Sequence, residues 1–195
     1  MKFCIVVARY NENIEWTKQI DNNNVNIIIF NKGEPLNNDN DNYNVIQLAN
    51  VGREGHTYYK YIYDNYDNLY DYTIFLQGCP FDHSPNLINN IHKYINDTEL
   101  NVDFDYLSEY IIDCNLSGCK YHYGLPLIET YEKLFNERKE EMAFTFGAGA
   151  QFIVSKKNIL KRPKEFYYKI VEMLQNHSGP AEGFVIERFQ KLILS

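Results

Sequence analysis

Apolar positions along this chain follow two periods, and the switching between them predicts the architecture. Residues 2–8 form an almost unbroken apolar run, as expected of a strand buried on both faces. Arg9, Tyr10, Asn11 and Glu12 make the turn at its end. A short helix is predicted over residues 14–20, a second strand over 25–30, closed by Asn31, Lys32 and Gly33, and a short third strand over 45–48. From Gly52 onward Tyr58, Tyr59, Ile62, Tyr63 and Tyr66 recur at helical spacing, while Arg53, Glu54 and His56 crowd the first turn. Asn65 and the polar run 67–71 end that helix. Residues 72–77 are again β-branched and aromatic, stopped by Gly78, Cys79 and Pro80. Strand, helix, strand, strand, helix, strand is the order of a Rossmann-like α/β domain, a mostly parallel sheet flanked by helices.

Beyond Pro85, helices are predicted over residues 87–95 and 128–138, then near 165–176 and 181–194. Residues 144–154, interrupted by Gly147, Ala148, Gly149 and Ala150, read as a loop feeding a strand. Residues 103–124 show no dominant period, and 34–44 form an Asn/Asp-rich loop.

Length and composition narrow the class. At 195 residues and 45% hydrophobic content the chain suits one domain over its full length. A formal charge of -7 argues against a general nucleic-acid binder, whose phosphate contacts call for a basic face. It leaves room for a nucleotide, since a few local cations or N–H groups suffice for a diphosphate. Cys4, Cys79, Cys114 and Cys119 show no CxxC spacing, so zinc is disfavoured and reduced thiols in a cytoplasmic setting are expected; Cys114 and Cys119, flanking a turn, would pair only under oxidation. No apolar run reaches the roughly 18 residues of a membrane span, and the start does not read as a signal peptide.

Ligands of parallel sheets gather beyond the carboxyl ends of the strands, which puts Gln77, Asp82 and His83 at the working edge. Asp82 and His83 are the candidate metal or phosphate contacts, against a turn-capping Asp with an incidental His. Arg9 ends a strand where a cation can meet a diphosphate, or simply pairs with Glu12 or Glu15. Asn11 and Glu12 either touch a base or ribose or cap the next helix. Gly52, Arg53 and His56 can offer helix N-terminal N–H groups and charge to a phosphate; alternatively, Asn50 caps and Glu54 complements the helix dipole. In the loop 147–151, Gln151 is the candidate contact. Glu182 or Glu187 could serve as the base that deprotonates a hydroxyl, although Glu187 beside Arg188 also fits a plain helix ion pair. The tyrosines of residues 58–72 read mainly as core and rim packing.

The strings IVVARYNENIEW, NKG at Asn31 to Gly33, NVGREGHTYYKYIYDNYDNL, TIFLQGCPFDH, GAGAQFIVSKKNI and IERF occur in the order of the DUF3431 family, which the chain resembles over nearly its whole length. That family is similar to GT-A glycosyltransferases, in a compact version also seen among large DNA viruses. The resemblance implies a nucleotide-side half over about residues 1–85 and an acceptor-side half beyond it. It implies a nucleotide-sugar donor and a glycan or other hydroxyl acceptor, with Arg9, Arg53 and Lys32 offsetting the diphosphate and a cytoplasmic location, in the host if viral. GT-A enzymes carry Asp-x-Asp at the strand end occupied here by Gln77, Gly78 and Cys79. Dependence on Mn²⁺ or Mg²⁺ is therefore open, resting on Asp82 and His83 as a displaced site. Two literal Asp-x-Asp strings, at Asp39 with Asp41 and at Asp103 with Asp105, stand elsewhere. The alternatives are a non-catalytic nucleotide-sugar or carbohydrate-binding module and a small metal-dependent hydrolase built on His56, Asp82 and His83.

Overall fold

The structure, a computed structural model, describes residues 1–20, 23–36 and 43–195. In chain order the strands are β1 (Phe3–Arg9), β2 (Val25–Asn31), β3 (Asn44–Gln47), β4 (Tyr72–Gln77), β5 (Phe104–Tyr106), β6 (Ile111–Asn115), β7 (Gly118–Cys119), β8 (Ala143–Gly147) and β9 (Phe152–Ser155). The α-helices are α1 (Arg53–Asn65), α2 (Leu87–Asn96), α3 (Leu127–Phe135), α4 (Lys156–Ile159), α5 (Lys164–Leu174) and α6 (Ala181–Leu194). Residues Glu15–Gln19 form a 3-10 helix rather than an α-helix.

The main sheet has the order β3-β2-β1-β4-β9-β5. The first four strands are mutually parallel, as their apolar runs predicted. β1 explains why: all seven residues are buried, with Cys4, Val6 and Ala8 in one core and Phe3, Ile5 and Val7 in the other. Side chains alternate across a strand, so a strand covered on both faces must be apolar at every position. One face packs under α1, α3, α5 and α6, and the second under α2 and the 3-10 helix. Tyr58, Tyr59 and Tyr61 of α1 are core residues; Tyr58 lies 4.9 Å from Phe75 between ring centroids.

β9 departs from a purely parallel pattern. It runs antiparallel between β4 and β5, pairing Phe75 with Phe152 and Tyr72 with Ser155. Because it runs backwards, the small-residue loop before it arrives at the carboxyl end of β4. The stretch without a clear period resolves into β5, β6 and β7, and the glycine-rich segment contains β8. Strands β7-β6-β8 make a second, antiparallel sheet.

That small sheet corrects the thiol expectation. Cys114 and Cys119 face each other across β6 and β7 with Cα atoms 4.9 Å apart and are joined by a disulfide. A five-residue step across a tight hairpin brings two cysteines within bridging span, which spacing alone does not reveal. The pair no longer supports a reducing compartment. Cys4 and Cys79 are free thiols; burial pushes Cys4 up to about 11. Among the described residues, no helix is long and apolar enough to cross a membrane.

Gly52 sets the entry of α1. Its φ is +62°, and an added Cβ would meet the Leu174 carbonyl oxygen and the His56 Cβ at 2.6 Å each. Gly52→Ala should therefore lower stability by more than the roughly 1–2 kcal/mol of a left-handed non-glycine residue, read as a drop in thermal midpoint. An unchanged midpoint would show that the turn can be rebuilt.

Candidate functional site

A cleft of about 1050 Å³ opens at the carboxyl end of β4. Gln77 closes the end of the strand, and Asp82 and His83 follow in the turn after it. Arg53 enters from the start of α1, Gly149 from the loop before β9, and Phe184, Glu187 and Arg188 from α6. The outer wall is the small sheet with residues 120–122. The site thus combines segments from both halves of the chain.

Its electrostatic centre is Glu187. One carboxylate oxygen accepts the Gly149 N–H at 2.9 Å, and the other lies 3.7 Å from Arg188 Nη1. Burial pushes this carboxyl above the usual range, and the nearby Glu54 adds to the rise; the Gly149 N–H and the Arg188 and Arg53 guanidiniums oppose it. Arg188 is 1% exposed. Its Nη1 donates to the Phe184 carbonyl at 2.7 Å and its Nη2 to the Tyr121 carbonyl at 3.2 Å, with His122 Nδ1 at 3.1 Å. The guanidinium also covers the Phe146 ring at 4.6 Å, and its Nε is buried without a hydrogen-bond partner among the described residues.

Arg53 stacks on the Phe184 ring at 4.2 Å and lies 3.5 Å from Glu54. Its backbone is left-handed, φ +50°, directly after the left-handed Gly52. A non-glycine residue held in that region costs stability and tends to occur where a site over-determines the backbone. Glu54 in turn accepts from Gln77 Nε2 at 2.7 Å. His83 packs against Gly149, where an added Cβ would meet its ring at 2.8 Å. Gly149 therefore joins His83 to Glu187 across the loop.

Of the residues singled out in the sequence, Arg53, Gln77, Asp82, His83 and Glu187 line this cleft. The others that the structure describes do not, and each has a visible reason. Arg9 is buried, and its guanidinium donates to Asn31 Oδ1 and to the carbonyls of Tyr10, Glu12 and Glu34. It clamps the turns after β1 and β2. Asn11 accepts the Glu34 N–H and Glu12 the Tyr10 N–H, within those same turns. Lys32 is buried with its ammonium on the carbonyls of Val51 and Arg53, so it braces the α1 entrance; burial lowers it to about 8, partly offset by Glu54. Gly52 shapes the same entrance. Gln151 is fully buried and donates to the Pro80 carbonyl at 2.8 Å, supporting the turn after β4 from below. Glu182 lies in a separate depression with Lys133 and Lys169, which leaves Glu187 alone as the candidate base. Asp103 lies 3.8 Å from Lys157, and Asp105 accepts from the Tyr94 hydroxyl; neither reaches the cleft. Asp39 and Asp41 lie outside the described residues.

His56 is buried and does not line the cleft, so the His56, Asp82 and His83 constellation of a hydrolase is not assembled there. Burial first, then the Lys32 and Lys60 charges, lower it to about 4. A base depressed in the folded state contributes stability that is present above its unfolded value, near 6.5, and is lost as pH falls toward 4. Thermal midpoints should fall over that window, and His56→Gln should flatten the dependence. An equal slope in the variant would assign it to other groups.

Arg188 and Glu54 are site residues that the sequence reading did not select. A signal existed for the first. Val185, Ile186 and Phe189 surround the Glu-Arg pair, and a helix apolar on most sides is a buried one.

The donor set does not make a cation cage. Asp82 and His83 are adjacent in sequence, and among the described residues no three His, Cys, Asp or Glu side chains converge in a metal-ligating group.

No curated protein and no solved structure gives a significant match. A family model described as a protein of unknown function, DUF3431, matches residues 5–107 and 120–195, which takes in β4, the α1 entrance and α6. The chain belongs to the DUF3431 family.

Proposed function

We propose that this domain transfers a glycosyl group from a nucleotide-diphosphate sugar to a hydroxyl acceptor, with a GT-A-like division between donor and acceptor sides. The observation that carries the reading is the buried Glu187 carboxylate, raised in pKa and facing a cleft at the carboxyl end of β4 that also holds Arg53. A carboxylate raised toward neutrality is a suitable base for a hydroxyl proton. In an inverting transfer, Glu187 takes that proton while the acceptor oxygen bonds to the anomeric carbon and the bond to the diphosphate breaks. Arg53, the more exposed guanidinium, would meet the charge that develops on the leaving diphosphate. Arg188 acts as a positioning residue by holding Glu187 and the Tyr121 carbonyl.

Calorimetry with UDP-, GDP- and TDP-sugars, with and without Mn²⁺, tests the donor. Binding of one of them, with Arg53→Ala weakening it about 10-fold or more as befits loss of a charge-assisted contact of about 1.5–3 kcal/mol, is expected. Absence of binding to every donor would remove the transfer reading. Binding without nucleotide release in the presence of acceptor would favour a non-catalytic binding module, consistent with the Gln77-Gly78-Cys79 departure. A cation that takes part through the diphosphate would appear as Mn²⁺-dependent affinity.

A further inference from the structure

Among the described residues, large apolar side chains exposed to solvent are few, and four of them fall together: Tyr110, Ile111, Tyr121 and Tyr123. The first three line the outer wall of the cleft, and Tyr123, 86% exposed, follows directly on the cleft-lining His122. Two of the rings have a neighbour on one side. Tyr110 packs edge-on against His83 at 6.0 Å, and Tyr121 lies beneath the Lys120 ammonium at 5.3 Å. Asp113 and Lys120, both exposed, stand among the rings on the same wall. An exposed apolar patch rimmed by polar groups marks a binding surface.

We infer that this wall is an acceptor subsite for a neutral oligosaccharide chain. A pyranose presents an apolar C–H face with hydroxyls around its edge, which matches flat tyrosine rings interleaved with a carboxylate and an ammonium. Other ligands fit less well. An acyl chain would have to bury Asp113 and Lys120 without partners, at high desolvation cost. A polyanion would meet Asp113 and Glu109 on the same wall and Asp82 and Glu187 beyond it. The wall is continuous with the cleft holding Glu187, so a chain lying across it can present one hydroxyl to that carboxylate. The disulfide between Cys114 and Cys119 ties the Ile111 and Tyr121 sides of the wall together.

The inference rests on the transfer reading, and its test keeps the two apart. Cellohexaose, maltohexaose, mannohexaose and hexa-N-acetylchitohexaose are titrated into the intact protein, with binding followed by calorimetry and ligand-observed NMR, separately from donor binding. At least one hexasaccharide is expected to bind, and Tyr121→Ala and Tyr123→Ala are each expected to weaken it by about 2- to 12-fold, the range for one aromatic contact. Both positions are exposed, so the variants should melt as the parent does, and donor affinity should not change in Tyr123→Ala, whose side chain does not line the cleft. Binding of none of the four, or equal binding by the Tyr121→Ala/Tyr123→Ala double variant, overturns the subsite. So does sedimentation showing a dimer that the double variant dissolves, because a second copy would then own the rim. Donor binding without hexasaccharide binding sinks this inference alone. Tyrosine-dependent hexasaccharide binding without any donor affinity sinks the transfer reading and leaves the carbohydrate surface standing.

Discussion

Glu187→Gln is expected to lower donor-dependent transfer by about 10²- to 10⁴-fold, the usual contribution of a positioned base, without lowering stability at neutral pH. Glutamine keeps the shape and an oxygen to accept the Gly149 N–H, but it cannot take a proton. The stability side follows from the raised pKa. In the window between the ordinary 4.5 and the raised value, the folded chain holds a proton that the unfolded chain has lost, so stability falls as pH climbs through it. Above that window a charged Glu187 remains a cost of burial, which glutamine does not carry; the lost partner of Arg188 works the other way. The pair of results to look for is a midpoint equal to or above wild type together with a collapsed rate. In the parent, kcat/KM should also rise with pH as Glu187 ionises, and that limb should vanish in the variant. Wild-type transfer by Glu187→Gln would end the assignment of the base.

Arg188→Ala should have the largest effect on stability, about 3–5 kcal/mol, the range for breaking a buried pair by removing one partner. Each kcal/mol shifts the midpoint of a domain this size by roughly 2–4 °C, so the loss is easy to read by thermal unfolding. The guanidinium joins α6 to the segment carrying Tyr121, covers Phe146 and stands beside Glu187. Alanine removes all of this and leaves a cavity and an uncompensated carboxylate. Arg188→Met separates the contributions. It restores packing without charge, so it should recover the part of the loss that comes from the cavity, while the uncompensated Glu187 carboxylate keeps the midpoint below that of the parent. Turnover should stay low in both variants, because neither holds Glu187 and the Tyr121 carbonyl. An alanine variant that melts with the parent would show that Arg188 bears no structural role.

Much of the fold was legible because packing dictates composition locally. β4 reads directly from residues 72–77, ended by glycine and proline, and the tyrosines of α1 mark a helix whose stripe belongs to the core. The direction of β9 was not legible: alternation of side chains is the same in a parallel and an antiparallel strand. Nor were β6 and β7, where short, partly exposed strands dilute the period.

For the site, the divide falls between types of residue and the company they keep. The sequence by itself determined the parallel β1–β4 arrangement, placed Gln77, Asp82 and His83 at the carboxyl end of β4, and offered Arg53 and Glu187 as candidate groups. A strand's end and a helix's start are local events, written in the residues that make them. Only the tertiary structure decided that Arg9, Lys32 and Gln151 are spent on backbone carbonyls, that His56 is buried away from the cleft lining, and that Glu182 and Glu187 part company. It also brought Arg188 to the cleft, set Glu54 against the cleft-lining Gln77 and Arg53, and joined Cys114 to Cys119. A charged side chain serves a ligand or a carbonyl according to what surrounds it, and those surroundings come from other segments of the chain, as Gln151 and the Pro80 carbonyl show at a separation of 71 residues.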